Sequence, residues 1–204
     1  GVQLDREAAG KKTDCMKLSM LTKEQVKKVY YERMKADFPP NELKPLAMID
    51  KAVEQGSYEC LGLMDGEEIA GYVFLIKHGE NYLVDYLATY PERRNQGLGG
   101  ELIRLLGEYL VQAKSIIGEV ENPEFAGSEE DRGIQTRRFA FYRRNGFRDT
   151  GVRAACFGVP YIIIEMGQGL VHTAEEIKAL YERHYRAILP KSMFEKNVIV
   201  QDRI

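Results

Sequence analysis

YLVDYLATYPERRNQGLGGELIRLLGEY, Tyr82 to Tyr109, is the stretch on which the fold turns. Its first part, Tyr82 to Tyr90, is almost continuously apolar, interrupted by Asp85 and Thr89, as expected of a central strand buried on both faces. Pro91 ends that strand. After a polar turn from Glu92 to Gln96, Leu98, Leu102, Leu105, Leu106 and Tyr109 recur at the spacing of a helix packed on a sheet. Gly97, Gly99 and Gly100 leave the backbone bare at the helix start, where the first amides have no carbonyl partner inside the helix and point at whatever lies there. An anion suits that place, because the helix dipole favours negative charge and Arg93 and Arg94 add cations beside it. Read locally, this is a phosphate or pyrophosphate cradle.

Outward from this core, Tyr58 to Met64 and Glu68 to Lys77 read as strands joined at Asp65-Gly66, a dipeptide suited to a tight hairpin. With the central strand they predict an antiparallel meander. Beyond the helix, Ser115 to Glu121 reads as a strand parallel to the central one, since a helix supplies the crossover. Asn122-Pro123 stops it, Glu124 to Asp131 reads as an acidic loop, and Arg132 to Arg144 as a basic helix. Two strands follow, Phe147 to Phe157 and Tyr161 to Met166, with Gly158-Val159-Pro160 between them. Before the core, a strand is expected near Asp14 to Met20. A helix capped by Thr22 and Gln25 then runs to about Ala36, Pro39 and Pro40 break it, and another covers Leu43 to Glu54. Near the end, Thr173 and Glu176 form a second capping box. It opens an amphipathic helix carrying Ile177, Leu180, Tyr181, Tyr185 and Ile188, stopped by Pro190; Asn197 to Val200 follows as an edge strand.

The Gly-rich loop fits neither of two common phosphate motifs. A dinucleotide fingerprint needs a glycine where Leu102 stands, and no Gly-Lys-Ser/Thr exists in the chain. Arg94-x-x-Gly97-x-Gly99 instead resembles the Q/R-x-x-G-x-G/A signature of the GNAT superfamily of acetyl-CoA-dependent N-acetyltransferases. A second segment, FYRRNGF from Phe141 to Phe147, resembles the FYxxxGF that closes the acyl-CoA-binding region of that superfamily. The two motifs stand in the family's order with one strand between them, and the resemblance covers about Asp14 to Gly167. It departs at two positions before the tyrosine, where the family often has Asn and Ala and this chain has Gln135 and Arg138.

The resemblance implies an α/β fold of GNAT type: a mixed, mostly antiparallel sheet with a parallel pair of strands at the acyl-CoA cleft, flanked by helices, plus a C-terminal helical extension. It implies acetyl transfer from acetyl-CoA to a primary amine by direct attack, with no metal. Pantetheine would pair with backbone near Leu87, Ala88 and Thr89, and the pyrophosphate would lie against Arg93, Arg94, Asn95, Gln96, Gly97, Leu98, Gly99 and Gly100. Tyr142 resembles the family's general acid toward the CoA sulfur. The base is Glu119 or Glu121, which alternate on one face of a short strand; Glu119 resembles the strand glutamate of some N-terminal amine acetyltransferases. Either carboxylate has a plainer reading as a strand residue paired with an arginine, as has Asp85. Phe38 to Glu42 either lies over the acceptor site, as the segment joining the first two helices does in the family, or is an ordinary turn. The acidic run Glu124, Glu129, Glu130 and Asp131 suggests a cationic acceptor. A non-catalytic acyl-CoA sensor is the alternative to an enzyme.

Composition sets the outer bounds. The chain has 204 residues, 44% hydrophobic and 29% charged, enough for one filled core, and its formal net charge of -2 speaks against a dedicated nucleic-acid binder. No apolar run approaches a membrane span and no charged-then-apolar leader opens the sequence, so a soluble, cytoplasmic protein is expected. Cys15, Cys60 and Cys156 are scattered and read as reduced core filler. His78, His172 and His184 lack metal-ligand spacing and read as surface or helix-face residues. Residues 1–12 are expected to form a disordered tail, 13–168 the acetyltransferase-like domain, and 169–204 an extension that covers its apolar face on the same domain or on a second subunit of a homodimer.

Overall fold

The computed structural model describes residues 16–167 and 171–201. The expected tail, the start of the first strand with Cys15, and the boundary at 168–169 lie outside the described residues. Among the described residues, eight strands form one sheet in the order β1-β2-β3-β4-β5-β7-β6-β8. They are β1 (Met16–Met20), β2 (Tyr58–Asp65), β3 (Glu68–His78), β4 (Asn81–Thr89), β5 (Ser115–Glu121), β6 (Phe147–Cys156), β7 (Val159–Met166) and β8 (Val198–Gln201). Only β4 and β5 run parallel, and every other neighbour is antiparallel. The mixed sheet predicted from the meander and the helical crossover is therefore present, with the parallel pair at its centre.

Side-chain alternation divides the core into two layers. Tyr72, Phe74 and Ile76 of β3 face one side, where they meet Val26, Val29, Tyr30 and Met34 of the first helix and Ile49 and Ala52 of the second. Val73 and Leu75 face the other side, against Leu98, Leu102, Ile103 and Leu106. Those four lie on α3 (Leu98–Tyr109), the helix that opens at the Gly-rich turn. The first helix, α1 (Lys23–Val29), has the capping box expected from Thr22 and Gln25 and continues through a π-type segment, Tyr30–Met34, to a last turn at Lys35–Asp37.

Several boundaries differ from expectation, each for a local reason. The second helix, α2 (Leu46–Glu54), starts after Pro45 rather than at Leu43, because a residue before proline is pushed out of helical conformation. Glu129, Glu130 and Asp131 are not loop but the first turn of α4 (Glu129–Arg144), whose N-cap Ser128 accepts a hydrogen bond from the Asp131 amide. The β6–β7 turn is tighter than predicted: Phe157 and Gly158 adopt positive φ angles of 50° and 80°, and Val159 and Pro160 already belong to the strand.

At the C-terminal end, α5 (Ala174–Ile188) lays Ile177, Tyr181 and Tyr185 into the first core layer. His184, expected at the surface or on a helix face, is on the buried face of this helix at 1% exposed, and burial, then the field of His78, depresses its imidazole to about 3. Pro190 stops α5 but also caps a short helix, α6 (Lys191–Asn197), before β8 pairs with β6. No helix among the described residues is long and apolar enough to cross a membrane.

Candidate active site

The parallel pair does not stay paired. Asn81 to Val84 lie opposite Ser115 to Gly118, and beyond Val84 and Gly118 the ladder ends. Asp85 is the cause on the β4 side: Phe74 of β3 pairs with Tyr86 and Leu75 with Val84, which leaves Asp85 as an extra, bulged residue that bends its strand. On the other side, Glu119 to Glu121 follow β7, opposite Ile163 to Tyr161. The strands part over a cleft of about 1080 Å³. Leu87, Ala88, Thr89, Arg93, Arg94, Asn95, Gly97, Leu98, Gly99, Gly100, Glu119, Glu121 and Tyr142 all line it. Gln96 does not; its side chain turns back to accept a 3.4 Å hydrogen bond from Arg93.

The Gly-rich turn is built for exposure of backbone. Gly97, the N-cap of α3, sits at φ +71° and Asn95 at +65°, conformations that glycine and asparagine tolerate. Glu101 is the first residue whose amide finds a helical carbonyl, that of Gly97 at 3.2 Å, so the amides of Leu98, Gly99 and Gly100 have none within the helix. Gly99 has a second reason to be glycine, since a Cβ there would stand 2.9 Å from the Phe141 ring of α4. Of the two arginines, Arg93 is held by Asp65 at 2.7 Å, whereas exposed Arg94 has no acidic partner among the described residues.

The other end of the cleft holds the ionisable groups. Glu119 accepts hydrogen bonds from two hydroxyls of α5, Tyr181 at Oε2 (2.6 Å) and Tyr185 at Oε1. Burial raises its carboxyl to about 7; Lys44 opposes the rise, Asp85 adds to it, and the two tyrosine bonds oppose it. Lys44 itself stays protonated: burial works against its charge, but Asp85, 2.8 Å away, together with Tyr86 and Glu119 outweighs it. Tyr58 donates to the other oxygen of Asp85 at 2.6 Å, so Asp85 is engaged on both sides.

Glu121 is engaged as well, by Gln135 at 2.9 Å and Arg138 at 2.8 Å. The two positions at which the chain departs from the resembled motif are therefore the two that grip Glu121. Glu42 accepts a 3.0 Å bond from Tyr161, and burial, then the nearby Glu121, raises its carboxyl above the ordinary range. Tyr142 packs edge-on against Phe141 and Phe147, and no described residue hydrogen-bonds its hydroxyl. Burial pushes that phenol up to about 12, with Arg138 pulling the other way.

Both alternation on β5 and the FYRRNGF helix thus bring their predicted residues to one cleft. The segment from Phe38 to Glu42 lines it too, apart from Pro39. Sequence reading did not single out Lys44, Tyr161, Tyr181 or Tyr185. The tyrosines at positions 181 and 185 did carry a signal: two hydroxyls four residues apart on an otherwise apolar stripe need a polar partner wherever the stripe is buried.

Residues 56–149 match the family model described as an acetyltransferase (GNAT) domain. The YjbC protein of Bacillus subtilis, assigned by name as an acetyltransferase, is 28% identical over 120 residues, 58% of this chain and 56% of that protein. This match therefore takes in just over half of the curated relative's length. Among solved structures, a GNAT-family protein from Bacteroides thetaiotaomicron superposes with a TM-score of 0.67 at 23% identity, covering 86% of this chain and 99% of its own. AAC(6')-Ib, solved in complex with paromomycin and acetyl-CoA, superposes with a TM-score of 0.56 at 16% identity, covering 75% and 93%. At these identities the structural likeness speaks for the fold.

Proposed function

We propose, from the premise that this chain belongs to the GNAT superfamily of acetyltransferases, that it transfers an acetyl group from acetyl-CoA to a primary amine. The observation that carries this reading is a single cleft that joins free helix amides at one end to a perturbed carboxylate and an unpartnered phenol at the other. The residues present suit the donor. Leu87 to Thr89 have left the β5 ladder, so their backbone edge is open to pantetheine, and the amides of Leu98 to Gly100 with Arg94 suit a pyrophosphate. Bound acetyl-CoA supplies a thioester carbonyl for attack and a thiolate that departs.

An ammonium has no lone pair, and Glu119, with its carboxyl near 7, takes the proton that must leave before attack. Glu121 is the weaker candidate because one of its two partners is the Arg138 guanidinium, 2.8 Å away, which offsets its charge directly, whereas Glu119 is met by neutral hydroxyls. Tyr142, protonated at neutral pH, gives a proton or hydrogen bond to the departing sulfur.

Acetyl-CoA is expected to stabilise the fold, since a ligand that binds only the native state adds RT ln(1 + [L]/Kd). At a hundredfold excess over Kd this is about 2.7 kcal/mol, or roughly 5 to 10 °C in melting temperature. NADH and ATP should shift it far less; a larger shift with ATP would count against the assignment. Turnover with a panel of amines tests transfer itself, and binding of acetyl-CoA without turnover of any amine would favour the sensor.

The acceptor is read as cationic, though not on account of Glu129, Glu130 and Asp131, which belong to α4 and do not line the cleft. The relevant carboxylate is Glu42, whose bonded partner is a phenol rather than a cation, beside the Arg138-bound Glu121. Glu42→Gln keeps the shape and removes the charge. It should raise the KM of a diamine about tenfold and leave that of a matched monoamine nearly unchanged. Equal effects on both amines would remove Glu42 from recognition.

A further inference from the structure

The C-terminal extension reaches into the proposed catalytic centre. β5 projects Glu119 into the cleft, and the side chain is met there by α5, a helix that lies outside the segment matched to the family model. Tyr181 and Tyr185, one helical turn apart, each donate to a different oxygen of the same carboxylate. Their rings are fully buried, 0% and 1% exposed, and stand 5.0 Å apart, so packing on both sides fixes where the hydroxyls point. The helix that carries them is itself fixed, by the Thr173–Glu176 capping box at its start and by Ile177 in the core. Such an arrangement does more than tie a helix down. A carboxylate with a hydrogen bond on each oxygen keeps one orientation, and each donor favours its charged form over its neutral form.

We propose that Tyr181 and Tyr185 are positioning residues for Glu119, favouring its ionised form and orienting it toward the acceptor amine, so that α5 is a working part of the active site. The proposal rests on the acetyltransferase reading only for the purpose Glu119 serves; the hold on the carboxylate stands on the geometry. The other groups facing Glu119 act in both directions. Lys44, from the segment before α2, favours the carboxylate, while Asp85 of β4 disfavours it. Cys156 of β6 and Tyr161 of β7 also face it, and burial raises both so that they stay neutral at physiological pH. With Lys44 already committed to Asp85, the tyrosine hydroxyls are the groups hydrogen-bonded to Glu119 among the described residues.

The test is Tyr181→Phe and Tyr185→Phe, made singly, with two readouts. The first is the acid limb of kcat/KM against pH. The second is a titration of the Glu119 side-chain carboxyl by 13C NMR in the absence of any substrate, its signal identified by its loss in Glu119→Gln. Each substitution should move both readouts upward by about one unit, because a donor to the charged form has gone, while acetyl-CoA affinity stays unchanged. A purely structural role would lower the melting temperature and leave the limb and the titration where they were; that result in either folded variant overturns the proposal. The two variants probe different oxygens, so one that fails to fold leaves the other to decide. If neither folds, the wild-type titration decides: a midpoint near 7 supports a held carboxylate, and one above about 9 overturns it. Absence of turnover with every amine would sink the acetyltransferase reading and leave the NMR result to judge the tyrosines.

Discussion

Glu119→Gln is expected to lower kcat/KM at neutral pH by about 10² to 10⁴, the usual worth of a general base. Gln keeps the length of the side chain and still offers an oxygen to one tyrosine hydroxyl, so the loss is one of basicity. The deficit should shrink as pH rises, because free amine then reaches the cleft without help. A second consequence has the opposite sign. The Glu119 carboxyl is raised from 4.5 to about 7 by burial, so the native state holds its proton more tightly than the unfolded chain does. The stability this provides is complete below about 4.5 and is lost as pH rises through 7. Above that, the wild type carries a buried charge that Gln does not, so the variant's melting temperature should gain on the wild type as pH rises from about 4.5 to about 7 and hold that gain at higher pH. Activity and stability would then move apart across one pH range, as expected where a functional site holds a group against its own solvation. Equal activity of the two proteins at pH 7, with chemistry rate-limiting, would dismiss Glu119 as the base.

How far the sequence discloses this site depends on whether a feature is local. Strand, glycine turn and helix from Tyr82 to Tyr109 are neighbours in the chain, so period and punctuation suffice to place them, and alternation alone puts Glu119 and Glu121 on one face. The bulge at Asp85 leaves no such mark. It is a matter of register between β3 and β4, and it is what parts the strands. Tyr181 and Tyr185 are 62 and 66 residues from Glu119, and their spacing shows only that they share a face, not what that face meets. Lys44 was hidden by a different error. Assigning it to a helix gave it the direction of a helical side chain, whereas Pro45 keeps it extended and lets its ammonium reach Asp85. Ser128 and Pro190 are cases of one residue type with two meanings. A serine inside an acidic run reads as loop until its side chain is seen to cap α4, and a proline that ends α5 also starts α6.

Tyr142→Phe separates two accounts of one residue with the smallest change in shape. The ring packs between Phe141 and Phe147, and Phe preserves nearly all of that apolar contact. Since no described residue accepts from or donates to the hydroxyl, its removal leaves no protein group unsatisfied, and the melting temperature should hold or rise slightly. The residue is half-buried and lines the cleft, so its hydroxyl is available to what enters there. If it serves the sulfur as the carbon–sulfur bond breaks, its contribution exists only in the transition state, so kcat and kcat/KM should fall together while acetyl-CoA binds as before. The expected loss is about 10² or somewhat more, toward the lower end for a general acid, because a thiolate leaves tolerably well unaided. The phenol at about 12 is protonated throughout the working range, so the deficit should be flat from pH 6 to 9, unlike that of Glu119→Gln. The pair of profiles is therefore diagnostic: one deficit fades with rising pH and the other does not. Full kcat in Tyr142→Phe, measured where chemistry limits the rate, would strip the tyrosine of its role as acid and leave it as one wall of the acyl-CoA cleft.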